Sequence, residues 1–321
     1  MNRNFLVTKL GQTVLTVILV LVLNYFLFRV MPGDPVRLLV RNPNMSAEAL
    51  ARVRESLGLT GPWYAQFARY MEDTLRGNLG DSFVQRKPVV AVVGEKVWPT
   101  VLLVGTATVL AIVIGVVVGV AAAARRGTRV DIWSLTLMLL LYSMPTFWLA
   151  IILLMLFCVY WRLFPIAGMV TPGLGLTGLA HWGDVLRHLF LPAVSLALVL
   201  VGEYALIMRS SLLDVLSEDY IVTARAKGLS ERRVLQEHAV PNAMLPMVTI
   251  IAMNLGLVIG GAIQTETVFS WPGLGRLTYD ALLSRDYPVL QGVFLLVTVA
   301  VVGANFLADI LYGYLDPRVR T

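Results

Sequence analysis

Residues that could carry out catalysis or bind a metal are few in this sequence, and they fall into no recognised pattern. The three histidines, His181, His188 and His238, lack the His-Glu-x-x-His spacing that places two zinc ligands on one face of a helix. His181 and His188 could contact an ion such as nickel, although isolated interfacial histidines are far commoner than metal ligands. The single cysteine, Cys158, excludes an intrachain disulfide and a cysteine-based metal cluster. The sequence therefore predicts no metal site and no cofactor.

Two common signatures of enzymes are also absent from the sequence. There is no Gly-x-x-x-x-Gly-Lys-Ser/Thr loop to hold phosphates, and no Gly-x-Ser-x-Gly turn to present a serine nucleophile. We therefore expect no enzymatic activity from this chain alone.

The richest polar segment, Glu218–Pro246, lies between two apolar stretches. Its spacing predicts a short helix that ends at Gly228, since glycine readily takes the left-handed conformation of a helix terminus. Ser230 can cap a second helix, which Pro241 should end, and Asn242 should start the next helix. The segment is therefore expected to form a rigid helical hairpin.

This hairpin offers small and basic side chains to a partner. Ala224 and Gly228 are small enough to permit close approach of a partner backbone. The basic residues could pair with acidic groups of a partner or lie among lipid phosphates. These residues are Arg225, Lys227, Arg232 and Arg233.

The composition places the hairpin in a membrane protein. The chain of 321 residues is 57% hydrophobic and only 14% charged, whereas soluble domains carry about 25% charged residues. The net charge of +6 is then typical of cytoplasmic loops and lipid headgroups rather than of nucleic-acid binding.

Six stretches reach the roughly 20 apolar residues that a helix needs to cross a bilayer. They are Gly11–Val30, Thr100–Ala124, Ile132–Trp161, His188–Met208, Ala243–Thr265 and Val289–Tyr312. Basic residues concentrate in the loops after the second and fourth stretches and at the C-terminus, so the positive-inside rule predicts both termini in the cytosol.

The long segment after the first span is expected outside the membrane as a small helical lid. Ser46 can cap a helix with apolar residues at helical spacing, which Gly58 ends. A second helix should follow Pro62, with Trp63 and other aromatic side chains on one face. This lid could also dock an external protein.

Polar residues inside the fifth span mark a candidate path. Asn254 lies well inside this span and Gln264 near its outer end, and polar residues within a membrane are functional candidates by default. Glu203, near the cytosolic end of the fourth span, is expected to pair internally or to extend toward the interface rather than to contact a substrate.

Two proline sequences should interrupt helices. Ser143-Met144-Pro145 should kink the third span, because proline removes a helical hydrogen bond. Trp271-Pro272-Gly273 should form a rigid turn beyond the fifth span. This turn, with Glu266 and Phe269, is either an interfacial aromatic anchor or part of an outer gate.

The hairpin resembles the cytoplasmic loop of the permeases of binding-protein-dependent ABC importers. Their signature reads Glu-Ala-Ala, three residues, Gly, nine residues, Ile-x-Leu-Pro. The matching positions here are Ala224, Gly228 and Pro241. Positions that depart from the signature are Val222, Thr223, His238 and, conservatively, Val240.

The resemblance is stronger to one branch, the dipeptide, oligopeptide and nickel permeases. Their Tyr-x-x-Thr-Ala-Arg-Ala-Lys-Gly-Leu wording occurs at Tyr220–Leu229, and their Phe-Ser-Trp-Pro-Gly-Leu-Gly-Arg wording at Phe269–Arg276. Further matches lie in order along almost the whole chain, at Pro32-Gly33-Asp34-Pro35, 77–83, 143–148 and 316–318. The layout resembles the first, or B-type, of two paired permeases.

This resemblance implies an all-α integral membrane protein of the type I ABC-importer permease fold, with six transmembrane helices and both termini inside. It divides the chain into a tail and first helix (1–31), an external lid (32–98), a five-helix core (99–315) with a coupling loop (210–242), and a cytosolic tail (316–321).

The resemblance also implies partners. They are a second homologous permease, two cytosolic ATPases that bind ATP and magnesium, an external substrate-binding protein and membrane lipids, with no nucleic acid. The residues that would couple to the ATPases are Tyr220, Ala224, Arg225, Lys227, Gly228, Leu229, Ser230 and Pro241. The residues that would form the translocation path or outer gate are Asn254, Gln264, Glu266, Phe269, Trp271 and Pro272.

The expected cargo is a di- or oligopeptide, with nickel, glutathione, heme or a sugar as alternatives within the family. An ion-coupled secondary carrier is the alternative from another class. It predicts ionisable relays in mid-span and inverted repeats, which the sequence does not show. A membrane-bound enzyme ranks third, for lack of a convergent catalytic set.

Overall fold

The computed structural model describes residues 3–30, 48 and 61–315, and within them all regular structure is helical apart from one isolated bridge between Asp81 and Pro88. Helices α1 to α12 are, in order, Arg3–Val30, Trp63–Leu75, Val89–Ala124, Arg129–Ser143, Thr146–Leu154, Gly178–Leu216, Asp219–Ala226, Glu231–Arg233, Val240–Gly260, Ile263–Val268, Leu274–Ser284 and Tyr287–Leu315. Two π-helical turns, Met155–Tyr160 and Val234–Ala239, follow α5 and α8. The all-helical fold class is confirmed for these residues.

The two longest helices, α3 and α6, pack most extensively against each other. Gly115 and Gly119 of α3 lie four residues apart and face α6. A Cβ added to Gly115 would lie 2.6 Å from the Cβ of Tyr204, and one on Gly119 would lie 2.7 Å from the carbonyl oxygen of Ala205. Small residues at this spacing let two membrane helices approach closely, so this pair forms the centre of the subunit.

The main hydrophobic core joins these two helices to the hairpin predicted from the sequence. Ala111 of α3 and Met208 of α6 are fully buried in it, together with Ile221, Val234 and Met247. The hairpin is therefore packed on the end of α6 and on the start of α9, and it is not a loose loop.

Four helices are long and apolar enough to cross a membrane, in the windows Thr8–Leu27, Val89–Ala124, Gly178–Leu216 and Tyr287–Leu307. The pair α4 and α5 makes a fifth if its bent halves count as one span. The described residues thus give four or five candidate spans by length and composition, against the six predicted.

The predicted fifth span, Ala243–Thr265, corresponds to α9, which has 21 residues and ends at Gly260. Gly261 has a φ of 77° and a ψ of 167°, an extended conformation that only glycine readily adopts, and it stops the helix before its expected boundary. A Cβ there would lie 2.9 Å from the amide nitrogen of Gly275, so glycine also permits a close backbone approach. The separate helix α10 then begins at Ile263.

The expected kink at Pro145 is confirmed, and it is a complete break. Helix α4 ends at Ser143, α5 begins at Thr146, and the two axes differ by 98°. Met144 is extended, with a ψ of 133°, because the ring of a following proline disfavours helical backbone at the residue before it. The single predicted span Ile132–Trp161 is therefore an elbow of two short arms.

The second predicted lid helix is present as α2, which begins at Trp63 after Pro62. Its aromatic face packs on α1. The ring centroids of Phe67 and Tyr25 lie 5.2 Å apart, and those of Trp63 and Phe26 lie 6.0 Å apart. The first predicted lid helix, from Ser46 to Gly58, lies outside the described residues except for Glu48. The matches at 32–35 and 316–318 and the tail 316–321 lie wholly outside them.

The loop that follows α2 is held to the core by the carboxylate of Asp286. Asp286, between α11 and α12, is 2% exposed. It accepts hydrogen bonds from the Ser82 hydroxyl at 2.5 Å and from the backbone N–H groups of Phe83 and Val84 at 3.0 and 3.2 Å. The end of the stretch 77–83, which the sequence comparison singled out, is thereby fixed beside the N-terminal ends of α3 and α12.

Candidate functional site

The hairpin begins with α7, whose inner face lies in the core. Ile221 is fully buried and Ala224 is 7% exposed, so this amphipathic helix is fixed along one side. The N–H of Gly228 donates to the carbonyl of Arg225 at 2.9 Å, and Gly228 has a φ of 82°. The predicted left-handed end of the first helix is confirmed.

The opposite face of the hairpin is open to a partner. Tyr220 and Val222 are 42% and 58% exposed, although both are apolar in bulk. Burial, and secondarily the neighbouring Glu218 charge, raises the pKa of the Tyr220 phenol, so this side chain is a neutral hydrogen-bonding group at physiological pH. The other exposed positions between Glu218 and Ala239 are Glu218, Asp219, Thr223, Arg225, Ala226, Lys227, Gly228, Ser230, Glu231, Arg232, Arg233, Gln236 and Glu237.

An ion pair closes the turn of the hairpin. The Arg225 guanidinium donates to both carboxylate oxygens of Glu231, at 2.8 and 3.2 Å. Among the described residues, Lys227, Arg232 and Arg233 make no ion pair. Arg225 therefore closes the turn, while the other three cations stay exposed, as do the carboxylates of Glu218, Asp219 and Glu237.

Two expectations about the hairpin's small residues need correction. Ala224, expected to admit a partner backbone, faces the core instead, so only Gly228 keeps open space around it. Ser230 occupies the cap position, but its hydroxyl makes no capping hydrogen bond. The Ser230 carbonyl oxygen, and not its hydroxyl, bonds to the helix by accepting a hydrogen bond from the N–H of Val234 at 2.9 Å.

Pro241 does not end a helix, contrary to the expectation. It lies in the first turn of α9, directly after the π-helical turn Val234–Ala239. Proline has no backbone N–H to donate, and the irregular hydrogen bonding of the π-helical turn lies directly before it. The chain therefore runs from Glu231 to Gly260 without an interruption, and the hairpin is continuous with α9.

At the opposite end of the bundle, Glu266 holds the start of α11. Glu266 is fully buried and accepts hydrogen bonds from the Thr100 hydroxyl at 2.8 Å and from the N–H of Arg276 at 2.9 Å. The same hydroxyl accepts the N–H of Leu274 at 2.7 Å. Since the first N–H groups of a helix lack intrahelical partners, Glu266 and Thr100 together cap α11 from two other helices.

The rigid turn predicted at Trp271-Pro272-Gly273 is confirmed between α10 and α11. Trp271 is fully buried and its indole N–H donates to the carbonyl of Pro99 at 2.8 Å. Phe269 is 2% exposed and packs beside Leu191. The alternative of an interfacial aromatic anchor is therefore wrong for Trp271. A role in an outer gate stays a prediction for this turn.

A cavity of about 410 Å³ lies between α3, α6, α9 and α10. Asn254 and Gln264, the two polar residues predicted for the path, both line it. The Asn254 amide donates to the Tyr204 hydroxyl at 3.1 Å. Glu266, Phe269, Trp271 and Pro272 lie outside its wall. The structure thus groups two of the six predicted path residues around one cavity, and their transport role stays a prediction.

Glu203 also lines this cavity, which the sequence did not indicate. Its expected internal pairing is wrong among the described residues, because the nearby Arg209 binds elsewhere. The Arg209 guanidinium donates to both carboxylate oxygens of Asp131, at 2.7 and 2.9 Å. Glu203 is left facing the cavity.

The histidines have ordinary environments. His188 is buried, with its Nδ1 at 2.9 Å from the carbonyl oxygen of Asp184, and His181 lies in edge-on contact with Trp182. No group of three metal-ligating side chains occurs among the residues that the structure describes. The prediction of no metal site stands as a prediction.

Sequence reasoning missed the buried polar residues that join distant helices. Thr100, Asp131 and Asp286 each bind residues more than 70 positions away. The sequence shows only that each of these polar residues lies near the end of an apolar stretch. That position does not indicate which residue it binds.

These features define a class: an all-helical, multi-pass membrane protein with an exposed, charged hairpin at one end and a cavity lined by several polar side chains within the bundle. Residues 115–321 match the protein family described as "Binding-protein-dependent transport system inner membrane component". Residues 1–104 match a second family, which covers the N-terminal part of the membrane components of such systems. The chain belongs to this family of inner-membrane permeases, as the sequence motifs predicted, and it is a multi-pass protein of the bacterial inner membrane.

Curated relatives match nearly the whole chain. The "Dipeptide transport system permease protein DppB" of Escherichia coli (strain K12) is 40% identical over 98% of this chain and 98% of the relative. The "Di/tripeptide transport system permease protein DppB" of Pseudomonas aeruginosa (strain UCBPP-PA14) is 39% identical over 99% and 98%. The "Glutathione transport system permease protein GsiC" of Salmonella paratyphi A (strain ATCC 9150 / SARB42) is 37% identical over 99% of both chains.

Proposed function

We propose that this chain is the permease subunit of an ABC importer that carries di- and oligopeptides across the bacterial inner membrane. The observation that carries this proposal is the identity of about 40% to a dipeptide permease along the full chain. A relative at 37% identity handles glutathione, which makes glutathione the alternative cargo.

In the assembled importer, the exposed face of the hairpin docks on a cytosolic ATPase. Three observations support this role: the hairpin is packed on α6, its turn is closed by the Arg225–Glu231 pair, and its outer face exposes three cations that make no ion pair among the described residues. Closure of the two ATPases would move the hairpin, and α6 and α9 with it, because those helices share its core. ATP and magnesium belong to the ATPases, and this chain hydrolyses nothing itself.

The remaining partners are a second homologous permease and an external substrate-binding protein. The arrangement proposed has six transmembrane helices with both termini in the cytosol, in which the elbow of α4 and α5 and helix α9 supply the third and fifth crossings. Residues 1–31, 32–98, 99–315 and 316–321 then form the anchor, the outer lid, the core with its coupling loop at 210–242, and the tail.

The coupling role is tested by Gly228→Pro in the full complex reconstituted with ATP. A φ of 82° is incompatible with proline, so the turn must change. We expect the complex to insert and assemble but to lose the stimulation of ATP hydrolysis by the loaded binding protein.

The matched control is Gly175→Pro, which introduces the same conflict at a φ of 56° in a loop with open space around it. This variant should keep the stimulation. Full stimulation in Gly228→Pro would remove the hairpin from the coupling mechanism. The cargo is decided by a second measurement on the complex reconstituted in lipid vesicles, in which the uptake of a labelled dipeptide is compared with the uptake of labelled glutathione.

A further inference from the structure

The cavity between α3, α6, α9 and α10 has an unusual charge distribution. Its titratable side chains are Glu203 and Tyr204, and none of the described basic side chains lines it. Its other polar groups are neutral, namely those of Thr108, Thr146, Asn254, Gln264 and Thr265, and the rest of the wall is apolar. The cavity therefore carries one negative charge when Glu203 is ionised.

This carboxylate has no counter-ion in the part of the chain that the structure describes. Among the described residues, Glu203 takes part in no ion pair or hydrogen bond. Arg209, six residues further along α6, is held by two hydrogen bonds to Asp131 and is not available to it. The side chains of α9 that the structure leaves undescribed between Ile251 and Gly260 are all apolar, so none of them can pair with Glu203.

An unpaired carboxylate in a bundle that crosses a membrane is costly, and such residues generally face a water-filled cavity or a functional ligand. A ligand that brings a positive charge lowers this cost, because an ammonium donates charge-assisted hydrogen bonds to a carboxylate. The attraction is also stronger in a partly apolar cavity than in bulk water. The fitting ligand group is therefore a cation with N–H donors.

We propose that Glu203 forms an acidic subsite that binds the protonated amino group of the peptide during its passage. This inference rests on the proposed function, since a peptide near neutral pH carries an ammonium at its N-terminus. Glu203 would select cargo within the permease itself, after the binding protein has released it.

The test measures ATP-driven uptake of dialanine by the full complex in proteoliposomes, with saturating binding protein. Uptake is expressed per ATP hydrolysed. At pH near 6.5, well below the α-amino pKa of about 8, Glu203→Gln should lower uptake roughly tenfold, whereas Glu203→Asp should keep most of it. At pH near 9.5 the amino group is neutral, and wild type and Glu203→Gln should converge.

The matched control is Glu95→Gln, the same chemical change at an exposed position of α3 outside the cavity. It should follow the wild type at both pH values. Glu203→Asp keeps the negative charge beside Tyr204 and therefore controls for the effect of that charge on the Tyr204 phenol. A merely structural role of Glu203 would give a ratio that does not change with pH.

Each outcome decides the inference. Equal uptake by wild type and Glu203→Gln near pH 6.5, or an equal loss at both pH values, overturns the subsite while the peptide cargo stands. A wild type that transports glutathione but no dialanine overturns the proposed cargo, and the subsite falls with it. If Glu203→Gln does not assemble, Glu203→Met, close in size and uncharged, is measured in its place. If neither variant assembles, Glu203 is required for folding, and the proposal of a subsite is overturned.

Discussion

Arg209 of α6 and Asp131 of α4 are joined by two hydrogen bonds of 2.7 and 2.9 Å, and Asp131 also accepts the N–H of Gly127 at 3.0 Å. The pair fixes the turn between α3 and α4 against α6, the helix that carries the hairpin. It thus links two elements 78 positions apart in sequence by a planar, two-point contact that lysine could not reproduce.

Breaking this pair should destabilise the subunit. Asp131→Asn leaves the Arg209 charge half-buried without its partner, which costs about 3 kcal/mol. Thermal unfolding of the purified complex should show the loss, whereas Arg126→Gln, exposed in the same turn, should change little. Asp131→Asn combined with Arg209→Met should cost less than the sum of the single changes. Strict additivity would show that the contact contributes nothing to stability.

The close packing of α3 on α6 can be tested by adding one methyl group. Gly119→Ala places a Cβ 2.7 Å from the Ala205 carbonyl and 2.8 Å from the Met208 Cβ, where neither neighbour can move easily. We expect a loss of roughly 1–3 kcal/mol from overpacking, measured by unfolding in detergent. Gly105→Ala, on the same helix with nothing within 4 Å, should be neutral or slightly stabilising. Equal behaviour of the two variants contradicts the packing described.

The cap on α11 predicts a particular defect for Glu266→Gln. The carboxylate faces only donors, from Thr100 and Arg276, so the amide NH₂ of glutamine must meet one of them. A buried donor without an acceptor costs about 1–3 kcal/mol. The melting temperature should fall for this variant and not for Glu95→Gln. Thr100→Val should cost less in the Glu266→Gln background than in the wild type, because the two residues share one hydrogen bond.

Two neighbouring alanines on the hairpin should give opposite phenotypes. Ala224→Trp inserts a large ring into the core, so we expect reduced yield of folded subunit. Ala226→Trp adds the same ring on the exposed face, so the subunit should fold normally but lose its ATPases on co-purification. The two measurements are subunit yield and the ratio of ATPase to permease in the purified complex. A stable complex with Ala226→Trp means that docking uses another part of the hairpin.

Local features of the fold were predictable because they depend on residues adjacent in sequence. Pro145 breaks the third apolar stretch through its own ring, and Gly228 ends α7 through its own backbone freedom. The long apolar stretches predicted most of the long helices for a similar reason. The mean hydropathy of a segment indicates a membrane helix whichever helix packs against it.

Features that depend on a distant partner were not predictable. Nothing in the segment around Asp286 indicates that its carboxylate meets Ser82, 204 positions away, and nothing around Arg209 prefers Asp131 to Glu203. The boundary at Gly260 was missed because an apolar sequence continues across it, and only the packing of Gly261 on Gly275 shows why the helix stops there. The assignment of Ala224 to the surface failed because a small residue suits a tight core as well as a tight interface.

The break at Pro145 determines the end-to-end distance of the segment 129–160. Its arms, α4 and α5 with the following π turn, contain 15 residues each, so each arm is about 22 Å long. At a bend of 98° the two ends lie about 30 Å apart, close to the thickness of the hydrocarbon core. A straight helix covers that height with about 20 residues. The bent segment therefore uses about ten residues more than a straight helix of the same end-to-end distance. These residues place the bend itself to one side of the line that joins the two ends, and Thr146, at the bend, lines the cavity.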